Sequence, residues 1–373
     1  MITLHLLGLA HTQTTNEYSH CAFTGKVKRF APMMRSVGYN VIHYGIAGAE
    51  SSATEQVDIL SVDQWNEIRH RLLFEKYGRD VSPADFVGDL ANVGNELYQT
   101  FNNILHEELK SRIGPNDLIC LPFGHAHEQA IVNLSQSKIE TGIGYPNSYQ
   151  PFKVYESYAW YHYNLGKENH HRGFDYNWVI PNYYDITEWE YNPRPERKLV
   201  YFGRLGDIKG LQIVWEIAKH RPDLKVIICG QGDPTPYLTL PNIEYHPPIH
   251  GTARSDLLGS AMAVLMPTRY VEPFGGVTVE SQMTGTPVLG STYGSFTETI
   301  DQGITGYRCH TLGDYLKAIE NIESGSLFRE YISNKTKQKY NMYTLAHEYD
   351  NVFKQVGDLR EHGWYSTHSH WID

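Results

Sequence analysis

The chain has 373 residues, 41% of them hydrophobic, and its 42 acidic and 32 basic residues give a formal net charge of −10 at neutral pH. This length exceeds what one hydrophobic core usually serves and predicts about two domains. The acidic balance excludes a global attraction to DNA, RNA or anionic lipid, so no obligatory nucleic-acid partner is expected, although a local basic patch is compatible with it.

The sequence has neither a secretory leader pattern nor an apolar span. The run Ile2–Gly8 is short and lacks a basic start, and no stretch approaches the roughly 20 apolar residues that cross a bilayer. The cysteines lack Cys-x-x-Cys spacing, which favours buried thiols in a reducing compartment over disulfides; they are Cys21, Cys120, Cys229 and Cys309. We therefore expect a cytoplasmic protein. No sequence signal indicates its oligomeric state.

Strand-like and helical patterns alternate from the N-terminus, which predicts a parallel sheet with crossover helices. Leu4–Gly8, the helical segment Lys26–Met34 and Val41–Tyr44 form one β-α-β unit, and Leu118–Leu121 begins another. Ligands of open α/β sheets lie beyond the carboxyl ends of the strands. The loop Thr12–Tyr18 and the loop after Leu121 should therefore border a binding site.

Two histidines, His125 and His127, lie in the loop after Leu121. A histidine at such a place serves as a general acid or base, or is simply a buried, hydrogen-bonded side chain. The sequence leaves both interpretations open.

Aromatic residues crowd the segment between residues 145 and 191. Their rings either stack on sugars or bases, or pack in the core and at a domain interface. They are Tyr145, Tyr149, Phe152, Tyr155, Tyr158, Trp160, Tyr161, Tyr163, Phe174, Tyr176, Trp178, Tyr183, Tyr184, Trp189 and Tyr191.

A polar, acidic stretch over residues 182–190, preceded by Pro181, interrupts the periodicity and predicts the domain boundary. We expect an N-terminal domain over residues 1–184 and a C-terminal domain over residues 185–345. The second domain's predicted strands are Leu199–Phe202, Lys225–Cys229, Ile243–Tyr245, Ala263–Met266 and Pro287–Leu289.

A glycine-punctuated turn with two cations follows the first of these strands. It runs from Gly203 to Gly210 and contains Arg204 and Lys209. A guanidinium offers a planar fork of donors and an ammonium a compact charge, and together they suit a diphosphate.

The segment Glu272–Glu280 has two acids that bracket a pair of glycines, Gly275 and Gly276. The apolar run that follows predicts a helix beginning there, whose unpaired N–H groups and partial positive charge would face an anion. Glu272 would precede this helix and Glu280 would lie about two turns into it. Two such carboxylates would accept hydrogen bonds from two parts of one extended ligand.

The last predicted helix runs from Ala346 to Arg360, with Tyr349, Val352, Phe353 and Val356 at helical spacing. The tail from His362 to Asp373 has three histidines and two tryptophans. We assign no metal to it.

Residues 178–310 resemble the C-terminal half of the family 4 retaining glycosyltransferases (glycosyl transferases group 1). Several motifs in one order are much more specific than any one of them. They are Val179–Asp185, Gly203-Arg204 with Lys209-Gly210, Ile228–Gly232, Glu272–Glu280, Gly285–Val288 and Gly303–Tyr307. The resemblance implies an α/β, GT-B fold of two Rossmann-like domains that face each other across a cleft, with residues 346–373 returning to the N-terminal domain.

The resemblance implies a retaining, metal-independent hexosyltransferase without a cofactor. Its donor would be a UDP- or GDP-type sugar nucleotide and its acceptor a hydroxyl, expected on a glycan or glycoconjugate. Glu272 would orient the sugar and Glu280 the ribose, while Arg204 and Lys209 would stabilise the departing diphosphate. The other expected donor-site residues are Gly203, Gly230, Gln231, Ile249, Arg254, Phe274, Gly275, Gly276 and Val277.

The N-terminal half resembles the family less closely. His127-Glu128 is similar to a His-Glu pair of some relatives, whereas Thr141–Tyr145 lacks the histidine that many relatives have after the next strand. The alternatives are a GT-B sugar-nucleotide epimerase or phosphorylase, a glycosyltransferase that acts on modified DNA bases, and a noncatalytic sugar-nucleotide binder.

Overall fold

The computed structural model describes residues 2–18, 21–78, 88–169 and 176–362, with side chains as far as residue 359. The strands within these ranges are β1 (Thr3–Leu7), β2 (Asn40–Ile46), β3 (Glu55–Leu60), β4 (Leu118–Leu121), β5 (Ser137–Ile143), β6 (Phe152–Tyr155), β7 (Asn177–Val179), β8 (Lys198–Phe202), β9 (Lys225–Cys229), β10 (Ile243–His246), β11 (Ala263–Met266), β12 (Val288–Gly290) and β13 (Gly306–Arg308).

The α-helices of the same described ranges alternate with these strands. They are α1 (Ala22–Arg35), α2 (Val62–Tyr77), α3 (Glu96–Arg112), α4 (Tyr158–Lys167), α5 (Leu211–His220), α6 (Gly251–Ser260), α7 (Gly276–Met283), α8 (Phe296–Thr299), α9 (Leu312–Glu323), α10 (Arg329–Tyr340) and α11 (Met342–His362). Residues 363–373, which are most of the tail considered above, lie outside the described residues. Phe174 of the aromatic segment lies outside them as well.

The chain divides into two compact units. Unit 1 comprises Met1–Tyr155, Arg172–Tyr183 and Met342–Asp373, and unit 2 comprises Glu156–His171 and Tyr184–Asn341. The division assigns residues 156–171 to unit 2, where we expected the N-terminal domain to continue to residue 184. The reason is local, because the first turn of α4 hydrogen-bonds to side chains and carbonyls of unit 2.

Among the described residues, unit 1 has one parallel sheet in the order β3-β2-β1-β4-β5-β6-β7. Its central strands are nearly continuous apolar runs, as sheets covered on both faces require; every residue of β4 is buried. Helix α11 packs on α1 in this unit: Tyr349 and Phe353 are fully buried, and the Tyr349 ring meets the Phe30 ring edge-on at 5.5 Å.

Unit 2, within the described ranges, has a parallel sheet in the order β10-β9-β8-β11-β12-β13. The expected strands Leu199–Phe202, Lys225–Cys229, Ile243–Tyr245 and Ala263–Met266 are confirmed as β8 to β11. From β8 the chain continues to β9 on one side, while β11 pairs with β8 on the other. The loops after β8 and β11 therefore diverge at the carboxyl edge of the sheet, where open α/β sheets bind ligands.

Candidate donor site

Two glycine turns meet at the carboxyl ends of β8 and β9. The N–H of Gly203 donates to the Cys229 carbonyl at 2.9 Å, and the N–H of Leu205 donates to the Gln231 carbonyl at 2.7 Å. Gly230 has a φ of 151°, and a Cβ there would overlap the carbonyl oxygen of Gly203. Glycine is required because the two backbones touch. The structure thus brings together Gly203, Gly230 and Gln231, three of the residues that we expect at the donor site.

Lys209 lies at the end of a 3-10 turn over Asp207–Lys209, after β8. Its Nζ donates to Oε2 of Glu272 at 2.8 Å and to the hydroxyl of Tyr270 at 2.6 Å. The same ammonium lies 4.6 Å from the centroid of the Tyr270 ring. The cation and the carboxylate that we predicted from separate motifs are therefore one ion pair, and Tyr270 holds its cation.

Arg204 is exposed, and its backbone carbonyl is hydrogen-bonded to a tyrosine of strand β8. The Tyr201 hydroxyl donates to the Arg204 carbonyl at 2.5 Å. Burial raises the pKa of the Tyr201 phenol, with a further contribution from the negative charge of Glu272, while the positive charge of Arg204 opposes the shift. Arg204 acts in the same direction on Tyr270. The charge of Arg204 thus lowers the pKa of both phenols and opposes the effect of burial.

Gly275 is the last residue of the loop that begins at Glu272, and it is the N-cap of α7. It has a φ of 73° and precedes the first helical residue, Gly276, as we predicted. By helix geometry the first N–H groups of α7, at Gly276 and Val277, have no carbonyl one turn earlier to bind. Phe274 is buried against the rings of Tyr184 and Tyr340 and anchors the loop to the core.

The segment Gly294–Ser295 also fixes the loop that contains Glu272. The N–H of Ser295 donates to the carbonyl of Glu272 at 2.9 Å. Gly294 has a φ of 64°, and a Cβ at this residue would overlap the backbone of Glu272. Glu272 as a whole residue is 8% exposed. Its orientation is therefore set by packing and hydrogen bonds before any ligand arrives.

Glu280 is the fifth residue of α7. The expected two turns were wrong, because one turn takes about 3.6 residues and Glu280 therefore lies just over one turn from the start of the helix. Its carboxylate pairs with the guanidinium of Arg254 on α6. The guanidinium carbon of Arg254 lies 4.6 Å from the Phe202 ring centroid, and Ile249 packs on the same cluster. Arg254 thus fixes the carboxylate that we predicted to bind ribose.

The two predicted histidines lie in unit 1, on a 3-10 turn over Gly124–His127. His127 is completely buried and neither ring nitrogen has a hydrogen-bond partner among the described residues. Burial lowers its pKa to about 3, with a smaller contribution from His11, so the ring is neutral at pH 7. His125 instead stacks on Tyr149, with ring centroids 4.5 Å apart.

The sequence interpretation missed several residues. Tyr270 and Tyr201 hold Lys209 and Arg204, and each lies within three residues of a predicted site residue. In unit 1, burial raises the pKa of Glu140 to about 7, although the carboxylate accepts hydrogen bonds from the Tyr149 and Gln150 N–H groups. No local pattern in the sequence distinguishes Glu140 from a solvated acid.

Six of the fourteen described aromatic residues between residues 145 and 191 are buried and serve packing. Tyr145, Tyr155, Trp160, Tyr183, Tyr184 and Trp189 are buried, whereas Tyr158 and Tyr163 are exposed.

Across the described ranges, histidine, cysteine and acidic side chains form no group of three arranged to hold a metal ion. All four cysteines are buried free thiols. No helix in the part of the chain that the structure describes has the length and apolar character needed to cross a lipid bilayer.

A family profile and a curated relative each match part of the chain. The profile of the family "Glycosyl transferases group 1" matches residues 187–339. An uncharacterised glycosyltransferase of Methanocaldococcus jannaschii is 30% identical over 206 residues, which cover 48% of this chain and 53% of that protein. The chain thus spans about half the length of this curated relative.

Solved structures match nearly the whole chain. Sucrose-phosphate synthase from Thermosynechococcus elongatus has a TM-score of 0.69 at 13% identity, with 95% of this chain and 99% of that chain covered. Anabaena HepE in complex with UDP and glucose has a TM-score of 0.64 at 14% identity, with 95% and 100% covered. The profile match thus assigns residues 187–339 to the glycosyl transferases group 1 family, and the solved structures show that the chain has the GT-B fold.

Proposed function

We propose that this protein is a family 4 retaining glycosyltransferase, which moves a hexose from a UDP- or GDP-type sugar nucleotide to a hydroxyl of a glycan or glycoconjugate. The observation that carries the proposal is the 2.8 Å pair of Lys209 and Glu272 beside the start of α7. A cation, a carboxylate and a helix N-terminus on adjoining loops suit a ligand with an anionic centre and a hydroxylated end. The UDP and glucose in the Anabaena HepE complex support this assignment.

The diphosphate is the anionic centre. Arg204 supplies an exposed guanidinium, Lys209 an ammonium, and Gly276 and Val277 main-chain N–H groups. Donors fixed before the reaction stabilise developing charge without reorganisation, which is commonly the largest contribution to catalysis. With these groups the leaving diphosphate needs no metal ion, and we propose metal-independent transfer.

The two carboxylates bind hydroxyls at opposite ends of the donor. Glu272 keeps one oxygen on Lys209 and offers the other to the sugar, and Glu280, fixed by Arg254, accepts from the ribose. The turns at Gly203 and Gly230 and the side chains of Gln231 and Ile249 flank the base.

In the reaction, the acceptor oxygen forms a bond to the anomeric carbon while the bond from that carbon to the diphosphate oxygen breaks. The proton of the acceptor hydroxyl passes to the departing diphosphate. This front-face route retains the anomeric configuration without an enzyme nucleophile. The buried thiols favour a reducing compartment, and we propose the cytoplasm.

Thermal-shift measurements with UDP, GDP, ADP and their glucose or mannose derivatives test the donor assignment, because a ligand that binds only the folded state raises the melting temperature. One nucleotide series should stabilise the wild type and fail to stabilise Lys209→Ala. Product analysis with a labelled donor, with and without a glycan acceptor, then separates transfer from epimerisation. If no nucleotide shifts the melting temperature, the proposal is wrong.

A further inference from the structure

The first residue before α4 holds the loop that contains Glu272. Ser157 is the N-cap of α4: its hydroxyl oxygen accepts from the N–H of Trp160 at 3.1 Å. The same hydroxyl donates to the carbonyl of Pro273 at 2.6 Å. One hydroxyl has one proton and two lone pairs, so it makes both bonds at once. The residue next to Glu272 is thereby tied to a helix that lies more than 100 positions earlier in the sequence.

The next two N–H groups of α4 bind a carboxylate. Glu298 on α8 accepts from the N–H of Tyr158 at 3.0 Å and from the N–H of Ala159 at 2.8 Å. These N–H groups have no partner within their own helix, and the helix dipole favours a negative charge at this end. The side chain of Lys339 in turn donates to the Glu298 carbonyl at 2.9 Å.

Helix α8 leads back to the same loop. Its N-cap, Ser295, donates its backbone N–H to the Glu272 carbonyl at 2.9 Å. The start of α4 therefore reaches the loop in two ways: directly at Pro273, and through Glu298 and the residue that binds Glu272. The second route ends on the carbonyl of Glu272, whose side chain pairs with Lys209, and the first ends on the carbonyl of the next residue, Pro273.

We infer that Ser157 is a positioning residue, which together with Glu298 fixes the backbone of Glu272 and Pro273 so that the Glu272 carboxylate faces the donor sugar. The inference rests on the proposed function. Glu272 is the sugar-facing group, whereas Arg204 and the α7 N–H groups face the diphosphate. Loss of the Ser157 hydroxyl should therefore weaken recognition of the sugar more than recognition of the nucleotide, since small misplacements of a positioned group are costly.

The test compares the dissociation constants of two pairs of probes, UDP with UDP-glucose and GDP with GDP-mannose, by calorimetry on the full chain. In Ser157→Ala the constant for the preferred nucleotide should stay within about two-fold of the wild type, and that for its sugar nucleotide should rise about ten-fold. Ser157→Thr, which keeps the hydroxyl, should restore the wild-type value. Ser61→Ala removes an N-cap hydroxyl from α2 in unit 1 and controls for the loss of a helix cap.

Equal weakening of both probes would show that the hydroxyl only supports the fold, and unchanged constants for both would show that it does not position the loop; either result overturns the inference. If Ser157→Ala does not fold by circular dichroism, Glu298→Gln is measured in the same way and the same outcomes decide. A wild type that binds none of the four probes contradicts the proposed function itself, which separates the two failures.

Discussion

Lys209 and Glu272 are 63 positions apart in the sequence, yet the ammonium lies 2.8 Å from the carboxylate, and only 15% and 10% of their side chains are exposed. One residue follows β8 and the other follows β11, neighbouring strands of one parallel sheet. The pair therefore forms where the sheet order brings two loops together. The two side chains are therefore oriented before a ligand binds, in a site that also includes the N-terminus of α7.

We expect Lys209→Ala and Glu272→Ala each to lower kcat at least about 100-fold, because removal of one preorganised charged contact typically costs two to three orders of magnitude. Steady-state transfer assays with the donor found by thermal shift measure the loss. Lys225→Ala is the matched control, since Lys225 pairs with Glu244 on the surface of the same unit and should keep its activity. Wild-type rates in both site variants would refute the assignment.

Stability and activity should separate when both partners of the pair are replaced. A single replacement leaves a largely buried charge uncompensated, which costs about 3 kcal/mol, whereas an uncharged pair avoids that penalty. We expect Lys209→Met with Glu272→Gln to unfold near the wild-type urea midpoint and to remain inactive. Recovery of activity in the double variant would contradict a role for these charges in the reaction.

Tyr270→Phe should lower kcat/KM about ten-fold, less than Lys209→Ala does. The variant loses the 2.6 Å hydrogen bond to the ammonium but keeps the ring below it at 4.6 Å. Tyr270→Ala removes both contacts and should lower kcat/KM further, since a cation over an aromatic ring contributes up to about 2 kcal/mol when desolvated. The expected order is wild type, Phe, Ala and then Lys209→Ala, and a different order would exclude a holding role.

Glu280→Ala should abolish discrimination between the preferred nucleoside diphosphate and its 2′,3′-dideoxy form. If the carboxylate accepts from the ribose, the wild type prefers the hydroxylated ligand by at least about ten-fold, in line with the strength of hydrogen bonds to charged groups. Calorimetric dissociation constants for both ligands measure the ratio. Glu244→Ala removes an exposed carboxylate of the same unit and should leave the ratio unchanged. A ratio preserved in Glu280→Ala would place the ribose elsewhere.

Glu140→Gln should become more stable relative to wild type as the pH rises from 4.5 to 7. Burial raises the pKa of this carboxyl from 4.5 to about 7, so the folded state holds a proton that the unfolded state has released. The stabilisation that Glu140 gives the folded state through this proton is fully present below pH 4.5 and is lost as the pH rises through 7. The difference in unfolding free energy should grow by an amount on the order of 3 kcal/mol across this window. A pH-independent difference in urea unfolding would contradict the assignment.

Much of the fold could be predicted because its determinants are local. The central strands are runs of apolar residues that a covered parallel sheet requires, as in Leu118–Leu121 and Lys225–Cys229. Gly275 and Gly276 predicted the start of α7, since glycine adopts without strain the left-handed backbone conformation that precedes this helix. Edge strand β3 was not predicted, because half of its residues face solvent and its pattern is that of a polar segment.

The order of amino acids alone indicates which residue types are available for a diphosphate and for hydroxyls, namely Arg204, Lys209, Glu272 and Glu280. Their partners become apparent only in the folded chain. That Tyr270 holds Lys209, that Arg254 fixes Glu280 and that α4 ties down Pro273 depends on which loops the order of the strands brings together. Hydrogen bonds and ion pairs act over a few ångströms, so contacts between distant parts of the sequence exist only after the chain has folded.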